Sequence, residues 1–305
     1  MPASVSIIVP IYGTERYIAE CARTVLGQTW PYTEFIFVDD GSPDRAMDVL
    51  QGVIDREFEA LKPRIKIVRK ANGGLPQARK SGLDVATGDY IMHVDSDDWI
   101  ELYAAEKLAA KAEDTGADVV YFYLRKHKSG GRSHITRDPQ FASPQEYGRA
   151  VLLDKAHGYM CNKFMRRSLY TPDLFYPVIT MHEDMVLSCQ LLYHAKSAVL
   201  LPEPLYHYRR NNPDALTRGK RRARRAASAR NFLDLYEFYE GQSPTPVSAD
   251  VRHILDRGAW IGLRWDHSLL EERPYLADKA SWWLRFAIRI FFPYICGKRK
   301  NFNTQ

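Results

Sequence analysis

The sequence predicts an α/β fold in which a mainly parallel sheet is flanked by helices and followed by a helical C-terminal extension. Three observations carry that expectation. Short, nearly continuous apolar runs alternate with segments of helical periodicity from Val5 to Val94. Runs without apolar–polar alternation suit strands buried on both faces, as parallel strands are. The polar clusters Pro10–Gly13, Asp39–Ser42 and Asp95–Asp98 each fall just past the C-terminal end of such a run. In open α/β sheets that is where ligands bind.

The elements follow in order. Val5–Val9 reads as a strand that Pro10 and Gly13 end, and Glu15–Leu26 as a helix with Thr14 placed to cap it. Phe35–Val38 is a second strand, Ala46–Phe58 a helix and Ile65–Val68 a third strand. Leu75–Ala86 is helical with Thr87-Gly88 as its stop, and Tyr90–Val94 is a strand running into the acidic cluster. Glu101–Thr115 is a helix, Ala117–Tyr123 a strand and Lys126–Pro139 a polar, glycine-containing loop. Met185–Ala195 is a helix opened by His182-Glu183-Asp184, and Val199–Leu201 and Leu205–Tyr208 are two short strands. From Arg218 the chain is helical and basic, with a break at Gly241–Pro246.

The chain has 305 residues, 45% of them apolar, which supplies a well-buried core and excludes wholesale disorder. Its net charge of +6 is mildly basic, and much of the excess sits at Arg218–Arg225 and Lys298–Lys300. Cys21, Cys161, Cys189 and Cys296 form no CxxC pair and no zinc-ligand spacing, so free buried thiols are expected. The segment Met1–Pro10 has no basic stretch, and its apolar run is too short for a signal peptide. A cytoplasmic location is the expectation.

Asp95-Ser96-Asp97-Asp98 places three carboxylates within four residues, which repel one another unless a cation neutralises them. Hard divalent ions such as Mn²⁺ or Mg²⁺ take oxygen ligands and bridge to phosphate. A plain Asp-rich loop, with Asp98 capping the next helix, is the competing reading. In Asp39-Asp40-Gly41-Ser42 a carboxylate can accept from a base N–H or a ribose hydroxyl, and an Asp-Gly turn explains the same residues. Asn72–Arg79 is a glycine turn entering a helix with Pro76 in its first turn, able to receive phosphate beside Arg79 or to serve as ordinary helix entry. Neither GxGxxG nor GxxxxGK[ST] occurs, which disfavours a dinucleotide-binding fold and a P-loop NTPase.

Taken together, Val5–Tyr12, Val38–Ser42, Asn72–Leu83, Gly88–Ile91 and Asp95–Asp98 resemble, in order and spacing, the family 2 glycosyltransferases. The likeness continues more loosely to about residue 220. It implies a GT-A fold, a Rossmann-like α/β sheet, and inverting transfer of a sugar from a nucleotide-sugar donor, UDP-linked by family prior, to a glycan or lipid-linked acceptor. By that resemblance Pro10, Tyr12, Asp39 and Asp40 line the base pocket, with Tyr12 stacking on the base, and Arg79 lies near the diphosphate or the sugar. Asp97 ligates Mn²⁺ or Mg²⁺, and Asp95 contacts the ribose or the metal. His182-Glu183-Asp184 matches the motif whose aspartate is the general base. Leu205–Arg209 matches a late tyrosine-rich segment in which His207 completes the metal site and Arg209 holds the diphosphate. Asn162-Lys163 matches a Trp-x-Lys segment without the tryptophan, and Lys163 and Glu183 fall on the acceptor or donor-sugar side. Gly13 stands where the family commonly has Asn.

The expected division is a transferase domain, residues 1–215, and a basic, amphipathic helical extension, residues 216–305. Arg218–Arg225 packs six cations into eight residues, a solvated helix face or a contact for anionic lipid. Ser281–Ile295 is rich in Trp and Phe but too short and too charged to span a bilayer, so 279–300 reads as an interfacial helix or as one packed on the core. Peripheral attachment at the inner face of the cell membrane would suit a lipid-linked acceptor. Nucleic acid is not an expected partner, since no interleaved aromatic platform accompanies the basic run. A sugar-1-phosphate nucleotidyltransferase and a non-catalytic nucleotide-sugar-binding module are the alternatives. The first lacks its glycine-rich phosphate signature here, and the intact acidic motifs argue against the second.

Overall fold

The computed structural model describes residues 2–177, 182–210, 212, 221–242, 248–265, 268–281 and 284. These form two compact units, one of residues 1–180 with 187–215, the other of 181–186 with 216–305.

The first unit is built on a nine-stranded sheet. Strand β1 (Val5–Ile11) lies between β2 (Thr33–Asp39) and β4 (Tyr90–His93), and β3 (Ile65–Arg69) pairs outside β2, all four parallel. Every residue of β1 and β4 is buried, as the unbroken apolar runs require. Helices α1 (Ile18–Leu26), α2 (Ala46–Glu57) and α3 (Leu75–Leu83) make the crossovers. Pro10 fits inside β1 because odd residues of the strand bond to β2, as in Val5 N to Tyr32 O and Asp40 N to Ile11 O. Pro10 faces the β4 side, past the last ladder pair at Ile8 and His93, so its missing N–H breaks no bond.

The chain moves outward from β1 to β2 to β3, then returns across β1 to β4. The crevice between the C-terminal ends of β1 and β4 is therefore a topological switch point, the preferred ligand position of such sheets. Beyond β4 the sheet turns mixed. Strand β8 (Lys163–Arg166) is antiparallel to both β4 and β6 (Val119–His127). The long β9 (Ala198–Arg209) runs parallel to β6, and β5 (Trp99–Ile100) is antiparallel to β9. Helices α4 (Ala104–Thr115), α5 (Pro144–Leu152) and α6 (Glu183–His194) complete the order, α6 beginning in the other unit.

Several elements differ from their sequence expectation. The stretch 126–139 is not one loop: β6 runs on to His127 and a hairpin returns as β7 (Ser133–Thr136), leaving 128–132 and 137–139 outside the strands. The two short strands near 199–208 are one strand that Pro202 and Pro204 do not stop, because the β6 ladder shifts register there, between Phe122 and Leu124. Thr14 is not a side-chain cap. Its carbonyl accepts from Tyr17 N and Ile18 N, while its hydroxyl donates to Ser96 Oγ at 3.1 Å. Helix α4 starts at Ala104, too late for Asp98 to cap it. Cys21, Cys161 and Cys189 are free and buried as expected; Cys296 lies outside the described residues.

Two glycines set close approaches. A methyl at Gly82 on α3 would stand 2.4 Å from Ile8 Cγ2, so only glycine lets the helix rest on β1. At Gly88, ahead of β4, it would meet Ser6 N at 2.6 Å. The same place is locked by Glu34, whose Oε1 accepts from Ser6 Oγ at 2.6 Å and Thr87 N at 2.6 Å, while Oε2 pairs with Lys66 at 2.7 Å. That carboxylate joins β1, β2 and the turn into β4.

In the second unit, α7 (Arg221–Glu240) packs on α8 (Ser248–Trp265), close enough that a methyl at Gly258 would meet Leu233 Cδ2 at 2.8 Å. Arg273, between α9 (Ser268–Glu272) and α10 (Leu276–Lys279), pairs with Asp234 and with Glu237 of α7. Tyr275 OH donates to Glu237 Oε1 at 2.6 Å, and Lys279 pairs with Glu240 at 2.6 Å. Residues 218–220 and the side chains of 221–225 lie outside the described residues, as does 279–300 apart from Lys279, Ala280, Ser281 and Leu284. No helix among the described residues is long and apolar enough to cross a membrane.

Partial burial pushes the Glu34 carboxyl up, but hydrogen bonds from Lys66, Ser6 and Thr87 outweigh it and bring its pKa down to about 2. A depressed folded pKa contributes stability above the unfolded value of about 4.3, and that contribution is lost as pH falls toward about 2. Urea unfolding of Glu34→Gln should therefore show a lower midpoint than the parent at pH 7, and a smaller loss between pH 5 and pH 3.

Candidate active site

The switch-point crevice has the β1 loop on one wall and the β4 loop on the other. Tyr12 is 51% exposed at the end of β1, its ring open to solvent, and Pro10 is buried behind it. Gly13 follows with φ +67°, a left-handed conformation that Asn adopts more readily than other non-glycine residues, which accounts for the Gly-for-Asn difference from the family pattern. Gly13 N donates to Ser42 Oγ at 2.9 Å, tying the β1 loop to the β2 loop.

In the β2 loop, Asp39 Oδ1 accepts from Ser42 N at 2.9 Å and closes the turn at Gly41. Asp40, only 3% exposed, is turned the other way. Its Oδ1 accepts from Gly73 N at 2.9 Å and from Lys70 Nζ at 2.5 Å, and its Oδ2 from Gly74 N at 2.9 Å. The carboxylate thus shapes the glycine turn that opens α3. Lys70 carried no sequence signal for this role.

The β4 loop alternates in exposure: Asp95 and Asp97 are half-buried, Ser96 and Asp98 buried. Asp95 Oδ1 pairs with Arg79 Nη2 at 2.9 Å, and Arg79, 1% exposed on α3, carries its charge to the acidic loop from beneath. Asp97 Oδ2 accepts from Asn212 Nδ2 at 2.7 Å. Asp98 faces inward, its Oδ1 accepting from Arg209 N at 2.6 Å and its Oδ2 from Tyr206 OH at 2.8 Å. Tyr206 OH in turn accepts from Asp95 N at 3.1 Å. Burial, then the charges of Asp97 and Asp95, hold the Asp98 carboxyl well above the usual carboxylate range.

Arg209 closes this side. Its Nε donates to Asp97 O at 2.8 Å, its Nη2 pairs with Glu20 of α1, and its guanidinium lies 4.6 Å from the Trp99 ring centroid and 5.0 Å from that of Tyr17. His207 is stacked on Trp99 at 5.1 Å with both ring nitrogens engaged, Nε2 on Glu101 Oε1 at 2.9 Å and Nδ1 on His127 Nε2 at 2.9 Å. Among the described residues no three His, Cys, Asp or Glu side chains gather as a metal-ligand set. Lys163, 1% exposed, donates from Nζ to the carbonyls of His157 at 2.9 Å and Tyr159 at 2.6 Å and to Asn162 Oδ1 at 3.0 Å, anchoring the 157–162 segment.

Glu183 and Asp184 open α6, in the unit that holds 181–186. The residue before them, His182, has φ +60°, a costly conformation for a non-glycine residue. Its Nδ1 lies 2.8 Å from Ser228 Oγ of α7 and its ring 5.7 Å from that of Phe232, contacts of the same unit that hold the helix entry.

Sequence reasoning thus named Pro10, Tyr12, Asp39, Asp40, Arg79, Asp95, Asp97, His207 and Arg209 as one region, and the sheet brings their loops together. It missed Tyr206, Lys70, Glu20 and Asn212. Tyr206→Phe removes both the acceptor for Asp95 N and the donor to Asp98, and should cost about 1–3 kcal/mol, read as a lowered urea midpoint at unchanged m-value.

Comparison with known proteins agrees with this geometry. The model of glycosyl transferase family 2 matches residues 6–173. EpsJ of Bacillus subtilis (strain 168), described as an uncharacterized glycosyltransferase, is 33% identical over 223 residues, which are 70% of this chain and 62% of that protein. The chain thus aligns with about three fifths of that relative's length. Among solved structures, S. aureus TarS 1-349 in complex with UDP-GlcNAc has a TM-score of 0.67 at 18% identity, covering 90% of this chain and 79% of that one. The mannosyltransferase PcManGT from Pyrobaculum calidifontis, solved with GDP-Man and Mn²⁺, has a TM-score of 0.56 at 17% identity, covering 96% and 81%. The fold is GT-A, and the chain belongs to glycosyl transferase family 2.

Proposed function

We propose that this chain transfers a sugar, with inversion, from a UDP-linked donor to a hydroxyl of a glycan or lipid-linked acceptor in cell-surface polysaccharide synthesis. The observation that carries the reading is the switch-point crevice, with the exposed ring of Tyr12 on one wall and the half-buried carboxylates Asp95 and Asp97 on the other. An aromatic face suits a nucleobase, and paired carboxylates suit a cation that bridges to a diphosphate. The TarS neighbour is solved with UDP-GlcNAc, which supports UDP as the first nucleotide to try. The transferase domain is taken as 1–215, and the 216–305 extension is the part assigned to peripheral contact with the inner face of the cell membrane from the cytoplasm.

A divalent ion fits the donor set. Asp97 spends Oδ2 on Asn212, and among the described contacts Oδ1 accepts no hydrogen bond. One or two carboxylates with phosphate oxygens and water is a usual Mg²⁺ shell, and the PcManGT neighbour is solved with Mn²⁺. Asp97 and Asp95 would hold the ion; His207, engaged on both nitrogens, is not needed for it. When bound, the ion supplies charge neutralisation for the diphosphate.

The residues of the chain do the rest. Arg79 holds the Asp95 carboxylate in place, and Arg209 fixes the loop through Asp97 O. Asp184 takes the proton of the acceptor hydroxyl as its oxygen attacks the anomeric carbon. The bond from that carbon to the diphosphate oxygen breaks, and the nucleoside diphosphate leaves with the electron pair. Attack and departure on opposite faces give inversion. Glu183 is assigned to the acceptor or sugar side, whereas Lys163, whose Nζ is spent on His157 O, Tyr159 O and Asn162 Oδ1, serves that side only by holding the 157–162 segment.

The test is a screen of nucleotide-sugars for Mn²⁺-dependent hydrolysis. The parent should hydrolyse at least one donor, and Asp97→Ala should abolish this while the protein stays folded. Asp184→Asn should lower acceptor transfer by about 10²–10⁴-fold with donor affinity kept; full turnover in that variant would sink the base assignment.

A further inference from the structure

Asp184, assigned above as the general base, shares one compact unit with the helical extension, since that unit joins 181–186 to 216–305. The first turn of α6 shows one carboxylate and hides the other. Glu183, Met185 and Val186 are buried, and Asp184 alone of residues 183–186 is half-buried. Successive side chains of an α-helix point about 100° apart. A rotation of the entry by one such step would turn Asp184 inward and bring a neighbour out. Whatever fixes the entry therefore decides which group an acceptor meets.

His182 stands at that entry. Its carbonyl accepts from Val186 N at 3.1 Å, which makes it the residue from which α6 starts. Its φ of +60° is uncommon for a residue with a β-carbon, and such a conformation persists only where surrounding contacts hold it. Two residues of α7 supply contacts. Ser228 Oγ lies 2.8 Å from His182 Nδ1, and the Phe232 ring lies 5.7 Å from the imidazole. Both are firmly seated. Ser228 is 4% and Phe232 1% exposed, and the Arg257 guanidinium of α8 lies 4.4 Å from the Phe232 centroid. Around Ser228 the same helix buries Ala229, Phe232 and Leu235. A hydroxyl in such surroundings costs free energy unless it is bonded, and alanine would suit the helix better. Serine at this position brings the one thing alanine lacks, a polar atom for the imidazole.

We infer that Ser228, acting through His182, is a positioning residue for Asp184: α7 of the extension sets the direction in which α6 starts, and so aims the carboxylate that takes the acceptor proton. This rests on the general-base reading of Asp184. The extension then belongs to the transfer machinery and does more than attach the protein to a surface.

The test uses the full chain with Mn²⁺ and two probes, UDP-glucose and UDP-N-acetylglucosamine, with water standing in for the acceptor. Ser228→Ala, His182→Gly and the two combined are compared with the parent. Glycine adopts φ +60° freely, so His182→Gly keeps the backbone and removes the ring. Each single variant should lower kcat about 10-fold at unchanged donor KM. The double variant should be no slower than either single one, because both cut the same contact. Hydrogen exchange of the Val186 amide, which is bonded to His182 O, should quicken in all three, while β1 and β4 exchange as in the parent. Parental kcat in either single variant overturns the inference. So does a loss shared by kcat and KM, an additive loss in the double variant, or unchanged exchange at Val186. Full turnover in Asp184→Asn, or none in the parent, strikes the underlying reading and this inference with it, whereas the other outcomes strike the inference alone.

Discussion

One hydroxyl organises the acidic loop. Tyr206 OH accepts from the backbone of Asp95 and donates to the carboxylate of Asp98, while Arg209, three residues along the same strand, binds Asp98 and Asp97 from the other side. Three carboxylates in four residues would otherwise push the loop open. With one turned inward and satisfied by β9, and one paired to Arg79, the third is left at the crevice with an oxygen to offer. The arrangement depends on β9 running unbroken past β5 to Arg209, and therefore on the register shift that lets the strand absorb two prolines.

The parallel half of the sheet was legible in the sequence because its signals are local. Buried parallel strands show as apolar runs, and the loops at their ends show as polar clusters at the same offset, so four strands and the gathering of polar clusters at their C-terminal ends followed from Val5 to Asp98, while the strand order that makes a crevice between β1 and β4 came from the fold. The mixed half was harder to read for a physical reason. In β6 and β7 the residues facing solvent are Lys, Arg, His and Ser, which in sequence look like a loop, and only pairing across the hairpin makes them strands. Pro202 and Pro204 argue against a central strand until the shifted ladder is seen.

Long-range polar contacts were invisible for a different reason. Asn212 reaches Asp97 across 115 positions and Lys70 reaches Asp40 across 30, and neither partner sits in a motif. The resemblance placed Asp40 in the base pocket, and what the fold shows directly is that it gathers two glycine amides and a lysine. His207 illustrates the converse. The family resemblance suggested a ligand there, and the fold surrounds it with Glu101, His127 and Trp99. The second unit, stapled by Arg273 and Lys279 to α7, offered almost nothing beyond helical periodicity.

The contact of Gly82 with Ile8 has a reach beyond packing. Gly82 lies three residues beyond Arg79 on α3, and the helix is seated so low on β1 that not even a methyl group fits between them. Any larger residue would lift the helix and draw the Arg79 guanidinium away from Asp95. In a survey of natural or random variants, Gly82 would then be intolerant in the same way as a residue of the crevice, although it touches no substrate. A map of mutational sensitivity on this protein would draw the active centre larger than its chemistry, extended along α3 by the thickness of one methyl group.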